Sequence, residues 1–256
     1  MASLRRLFWL FVALAGAGVV LGSLFYFRLA SEVPDFETSS LVLARIGRSV
    51  DALRERQQHE TGKPGAPFAV VADEALEAPV GQLFLAELRC PDYLARAGDV
   101  GIASYYREAI APSPTGAARC ASRMAEELAT RLLLPSHAHE ILAGARLLSA
   151  LGGRELFSLW LSARAFQPGG PIGLDEAAKA LFHSSPQSLD WERASELVIA
   201  SEYWDVVAYC KNPPYLKDLR DHFLARAGEL LPAKAEPLRA AAAAPTSCEQ
   251  PRSARK

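Results

Sequence analysis

The sequence predicts a mainly α-helical domain carried behind one N-terminal membrane helix. Three observations lead there: an uncharged apolar run at residues 7–27, apolar residues returning every third or fourth position through most of the chain beyond it, and clusters of Gly and Pro set between those stretches. With 256 residues and 50% apolar content, the chain has ample material for a packed core. Its 28 basic and 29 acidic residues nearly cancel, so no overall field recruits a polyanion, and nucleic acid is not an expected partner.

The run LFWLFVALAGAGVVLGSLFYF is 21 residues long, and at about 1.5 Å per residue it spans roughly 30 Å, one hydrocarbon core. Arg5 and Arg6 precede it, while Phe25, Tyr26 and Phe27 close it like interfacial anchors. This pattern holds residues 1–6 in the cytoplasm and puts everything after Arg28 outside. The competing reading is a cleaved signal peptide, but the run exceeds the usual signal core of about 7–15 residues and no small-x-small site closes it. Gly18 and Gly22 form a GxxxG, a weak signal for close helix approach.

Residues 28–66 are expected to form an amphipathic helix and a linker. Leu43, Ile46, Val50 and Leu53 recur at helical spacing between Ser39 and Gln58, and TGKPGAP ends the pattern. FAVV, directly after that loop, is the one short run that reads as a strand. Helices are then expected at about 80–90, 101–111, 118–134, 137–151, 154–166, 174–183, 190–204 and 215–231, separated by APSPTG, PGGP, HSSP and NPP, where proline denies the helix a donor. Asp190 before WERASELVIA is a plausible N-cap, since its carboxylate can accept from first-turn amides. The tail, 233–256, shows no apolar period and is expected to be disordered, leaving 67–232 as the folded domain. The motifs GxxxxGK[ST], GxGxxG, HExxH and GxSxG do not occur.

Four cysteines, Cys90, Cys120, Cys210 and Cys248, face an oxidising compartment under this topology. They allow three complete pairings, with isolated buried thiols as the alternative, and their spacings suit no zinc site.

Residues 173–200, GLDEAAKALFHSSPQSLDWERASELVIA, resemble the segment GxEAAAxxYFxKxxxxLxxxEAALLA of family 51 glycosyltransferases, the peptidoglycan polymerases, without a gap. LFSLWLSARAF, residues 156–166, is similar to that family's ILExYLNxxxFG segment. Glu140, fifteen residues before Glu155, then stands where the family has the glutamate of RKxxE. ALEAPVGQLFLAELRCPDY resembles EISPxLxxAxxASEDxxF, which puts Glu87 on the first glutamate, and NPPYLKDLRDHFLARAG resembles the PxxYLxxRxxxxxxRMG ending of the monofunctional members. The resemblance covers roughly residues 55–231 plus the anchor. It departs from the family after Glu87, where the aspartate is Leu88. GGSTITQQ has become GAARCASR, the RK pair Ser136 and His137, and the YLN asparagine Ser162.

The resemblance implies a lysozyme-like helical glycosyltransferase domain that joins a sugar 4-hydroxyl to the anomeric carbon of a lipid-linked disaccharide and releases a lipid pyrophosphate. In that chemistry Glu87 takes the hydroxyl proton, and Glu140 positions the leaving group or a divalent cation, magnesium or manganese. Cationic side chains must neutralise charge building on the pyrophosphate. Arg119 and Arg123, four apart on one helical face, are candidates, with Arg131 and Arg146; the alternative is solvated helix-face charge paired with Glu126 and Glu127. His137 and His139, two apart, point to different faces of a helix and make a poor ligand pair. The partners so implied are the lipid-linked peptidoglycan precursor or a glycan strand, the membrane, and other cell-wall synthesis proteins. A catalytically inactive homologue serving as scaffold or regulator is the second reading, and an unrelated anchored helical protein the third.

Overall fold

The computed structural model describes residues 2–61, 67–110, 116–132, 134–166, 170–202 and 213–246, with side chains described from Gly16 onward except at 60–61, 109–110, 202 and 213. The helices are α1 (Ala2–Glu32), α2 (Ser39–Thr61), α3 (Asp73–Glu77), α4 (Pro79–Glu87), α5 (Ile102–Ile110) and α6 (Ala117–Thr130), followed by α7 (His137–Ala150), α8 (Gly153–Ala163), α9 (Leu174–Phe182), α10 (Trp191–Glu202), α11 (Pro213–Leu230) and α12 (Ala235–Ala243). The described residues form a mainly α-helical fold. Each helix expected between residues 80 and 231 is present, with ends shifted by a few residues. Asp190 caps α10 as its position suggests, its Oδ1 accepting from the Arg193 N–H at 2.8 Å.

The middle of the domain is α8. Every residue from Leu156 to Ala163 is buried, which suits a helix apolar on nearly all sides, and α2, α3, α6, α7 and α9 pack around it. A second group, α4, α10, α11 and α12, packs together and meets the first where α3 packs on α4 and α9 on α10. Phe84 of α4 sits edge-on to Trp160 of α8 at 5.7 Å between ring centroids, one of the aromatic contacts that join the groups.

Two expectations are corrected. FAVV forms no strand, and backbone groups of Phe68 and Val71 bond to side chains instead of to a neighbouring strand. The Val71 N–H donates to Ser162 Oγ at 2.8 Å, the Ser158 hydroxyl donates to Val71 O at 2.6 Å, and the Phe68 N–H donates to Asp51 Oδ1 at 3.0 Å. Ser162 therefore stitches this segment to α8. The tail expected to be disordered begins instead with α12, which buries Leu238 and Ala241 against its neighbours; residues 247–256 lie outside the described ones.

The apolar run at 7–27 lies within α1. Its side chains before Gly16 are outside the described residues, while Val19, Val20, Leu21, Leu24, Phe25, Tyr26 and Phe27 are all exposed. Among the described residues no helix is long and apolar enough to cross a membrane. The end of α1 is fixed to α7. Arg146, a candidate phosphate ligand by sequence, is used here: its guanidinium donates to the carbonyls of Ala30, Val33 and Pro34 at 2.6–3.0 Å, groups a helix end leaves unsatisfied. Beside it, buried His139 bridges Ser136 Oγ (2.7 Å) and Glu32 Oε2 (2.9 Å), and the bond from His139 holds the Glu32 carboxyl below its ordinary range.

Candidate functional site

Glu87 is the last residue of α4, and the way that helix ends fixes its position. The Arg89 N–H donates to Ala86 O and the Cys90 N–H to Leu85 O, a double closure that requires Arg89 in the left-handed region at φ 63°. Glycine would adopt this conformation without steric cost, whereas a side chain adds about 1 kcal/mol. Arg89→Gly should therefore be stabilising by up to about 1 kcal/mol and Arg89→Val destabilising, as read by denaturant unfolding. Beyond the closure, Cys90 is joined to Cys120 by a disulfide with Cα atoms 6.5 Å apart, which ties the end of α4 to the start of α6. Cys210 and Cys248 lie outside the described residues.

Helix α6 buries Cys120, Ala121, Met124, Ala125, Leu128 and Ala129 and turns Arg119, Arg123, Glu126 and Glu127 outward. Residues 123 and 127 are one turn apart, so the Arg123 Nε donates to Glu127 Oε1 at 3.1 Å, the pairing foreseen as the alternative for this arginine. From α8, Trp160 Nε1 donates to Glu127 Oε2 at 2.6 Å and Arg164 Nη1 to the same oxygen at 3.1 Å. Arg164 is held flat: its guanidinium lies 4.5 Å from the centroid of Trp160 and 5.6 Å from that of Phe84, cation–π contacts worth about 0.5–2 kcal/mol together with partial desolvation. Its backbone is pinned as well, because Arg164 O accepts from the Gly173 N–H at 2.7 Å where the chain doubles back after α8. Gly173 has φ 95° and a Cβ there would stand 2.6 Å from Ser162 O, so only glycine fits this return.

These groups line a cavity of about 280 Å³, completed by Arg131, Leu128, Thr130, Ala163, Ala165 and Ser201. Among the described residues the lining holds three guanidinium groups and one carboxylate. Glu127 is divided between Arg123 and Arg164. Arg131 has no ion-pair partner among the described residues; burial holds its guanidinium below the ordinary value, with Glu127 opposing and Arg164 reinforcing that effect. A cavity with partly desolvated arginines is suited to a multiply charged oxyanion, although the Thr130 and Ser201 hydroxyls already donate to Glu127 O and Val198 O.

Of the four arginines named from sequence, Arg123 and Arg131 line this cavity; Arg119, exposed on α6, and Arg146, bound at the end of α1, do not. The two glutamates also lie outside its lining. Glu87, 17% exposed, accepts at Oε2 from Arg226 of α11, and Glu140, in the first turn of α7, meets His137 Nδ1 at 3.2 Å. That leaves Glu140 a single histidine neighbour, since His139 is turned to Glu32. Among the described residues no group of three or more His, Cys, Asp or Glu converges as metal ligands. Sequence reasoning missed Arg164, Trp160 and Arg226. Trp160 and Arg164 are four apart on one helix, a spacing that puts a cation over a ring, and this signal was available. No protein-family model matches the chain, and no curated protein matches it.

Proposed function

We propose that this chain is a membrane-anchored binder of the lipid-linked disaccharide precursor of peptidoglycan, arranged like a family 51 glycosyltransferase, with Arg123, Arg131 and Arg164 holding the pyrophosphate. The observation that carries this reading is Arg131, without an ion pair among the described residues, in a cavity between α6 and α8 that Arg123 and Arg164 also line. A ligand with a long lipid tail must be met at the bilayer, and an anchor raises its effective concentration there. The exposed apolar residues of α1 support insertion by that helix, and the Cys90–Cys120 disulfide supports a domain on the outer, oxidising side. In this reading the domain serves as a cell-wall scaffold or regulator alongside the synthesis proteins.

The second reading is polymerisation. Glu87 would take the 4-hydroxyl proton as that oxygen bonds to the anomeric carbon, and the lipid pyrophosphate would leave. The disulfide favours it by fixing Glu87 near the arginine-bearing helix; with Arg226 bonded to Oε2, Oε1 would be the oxygen that takes the proton. Incubating the full chain in vesicles with labelled lipid-linked disaccharide decides between them. Binding is expected, with no polymer formed under conditions where a standard polymerase works. Polymer from the wild type, abolished in Glu87→Gln, would establish the second reading instead.

A further inference from the structure

Ser136 begins α7 without capping it. A serine in this place ordinarily accepts from an amide two or three positions on, yet the Ser136 hydroxyl makes no such bond and lies 2.7 Å from His139 Nδ1. The other ring nitrogen, Nε2, is 2.9 Å from Glu32 Oε2, where α1 ends. Glu32 is ionised at neutral pH, because the bond from His139, above all, holds its carboxyl below the ordinary range. A carboxylate only accepts, so Nε2 carries the ring proton and Nδ1 is left to accept from the Ser136 hydroxyl. His139 is buried while Ser136 is exposed: the imidazole is fixed in place, and the hydroxyl it faces is open to a reactant.

We propose that Ser136, His139 and Glu32 form a catalytic site in which Ser136 is the nucleophile and carboxylic esters are the substrates. Hydroxyl, imidazole and carboxylate stand in that order, each within hydrogen-bond reach of the next, the arrangement that activates a serine. As Ser136 Oγ bonds to the acyl carbon, its proton passes to His139 Nδ1, and the Glu32 carboxylate stabilises the imidazolium. The carbonyl oxygen takes up negative charge beside the N–H groups of His137 and Ala138, which head α7 and have no acceptor among the described residues. The ester C–O bond then breaks, and the departing alcohol oxygen takes the proton from Nδ1. Water repeats the sequence on the acyl-serine, which releases the carboxylic acid and restores the hydroxyl. Esters suit so open a site better than amides, because an alcohol is the easier leaving group. This activity is separate from the cavity between α6 and α8 and does not rest on the anion-binding reading.

The test is labelling of the full chain in detergent with a fluorophosphonate, the modified residue being located by mass spectrometry, together with hydrolysis of p-nitrophenyl butyrate and of acyl-labelled phosphatidylglycerol. The expected result is an adduct at Ser136, with phosphorus on Oγ and fluoride released, and turnover of at least one ester; which of the two is cleaved tells a soluble source from a lipid one. Hydrolysis should fall at least about 100-fold in Ser136→Ala and in His139→Gln, and about tenfold in Glu32→Gln, which keeps a group beside the ring but loses the charge. Ser149→Ala, at an exposed serine of the same helix whose hydroxyl donates to Arg146 O, should label and hydrolyse like the wild type. Circular dichroism of Ser136→Ala should match the wild type, since its hydroxyl caps no amide. An adduct absent from Ser136, hydrolysis that persists in Ser136→Ala, or turnover of neither ester overturns the proposal, and equal rates in the wild type and Glu32→Gln remove the carboxylate from the site.

Discussion

Arg220→Leu is expected to lower the stability of the domain by about 3–5 kcal/mol, the range for breaking a buried ion pair from one side. Arg220 and Glu196 are both 0% exposed, with Nη1 and Oε1 3.3 Å apart between α11 and α10. The same guanidinium donates to the carbonyls of Ala242, Ala244 and Pro245, closing the end of α12. Leucine would take the Arg220 ion pair from the buried Glu196 carboxylate and remove the donor to Ala244 O and Pro245 O, leaving Lys217 Nζ on Ala242 O, which loosens α12 from α11. Removing both charges, Glu196→Leu with Arg220→Leu, should cost less than Arg220→Leu alone, because no buried carboxylate is left without its arginine. Denaturant unfolding of the full chain in detergent checks the order, and amide exchange at 235–243 reports α12 if the single variant is too unstable to titrate.

This contact also shows why α12 was not legible in the sequence. The stretch PLRAAAAAP offers one leucine and a row of alanines, too little apolar period to mark a buried face, and its docking depends on an arginine some twenty residues earlier in the chain. The strand expected at FAVV failed for a related reason. Propensity describes an extended backbone, but the partners of that backbone are Ser158, Ser162 and Asp51, whose nearness only the fold creates. Local signals were legible: the helix boundaries set by Pro and Gly, the Asp190 cap, and the shared face of Arg123 and Glu127. In the candidate site the α6 half of the cavity could be read from spacing within one helix. Arg226 against Glu87 joins residues 139 positions apart and could not.

Cys90→Ser with Cys120→Ser is expected to destabilise the domain by about 3.5 kcal/mol, from the loop-closure entropy of a bridge between residues 30 apart. The sequence left three pairings open; the fold resolves one by bringing the end of α4 to the start of α6. Reductant should lower the unfolding midpoint of the wild type to that of the double variant and leave the variant unchanged. If the two proteins unfold alike without reductant, the bridge contributes nothing to folding. Because α6 carries Arg123, Glu127 and the approach to Arg131, loosening its start should also weaken ligand binding at the cavity.

The most direct test of the central claim is the affinity of the full chain, in lipid nanodiscs, for a polyprenyl-pyrophosphate disaccharide, comparing the wild type with Arg131→Ala. A charge-assisted hydrogen bond contributes about 1.5–3 kcal/mol, so the variant should bind about 10- to 100-fold more weakly, while circular dichroism shows the helices intact. Equal affinity in the two proteins would contradict the account, because the one arginine in the cavity that lacks a described ion pair would then have no part in holding the anion.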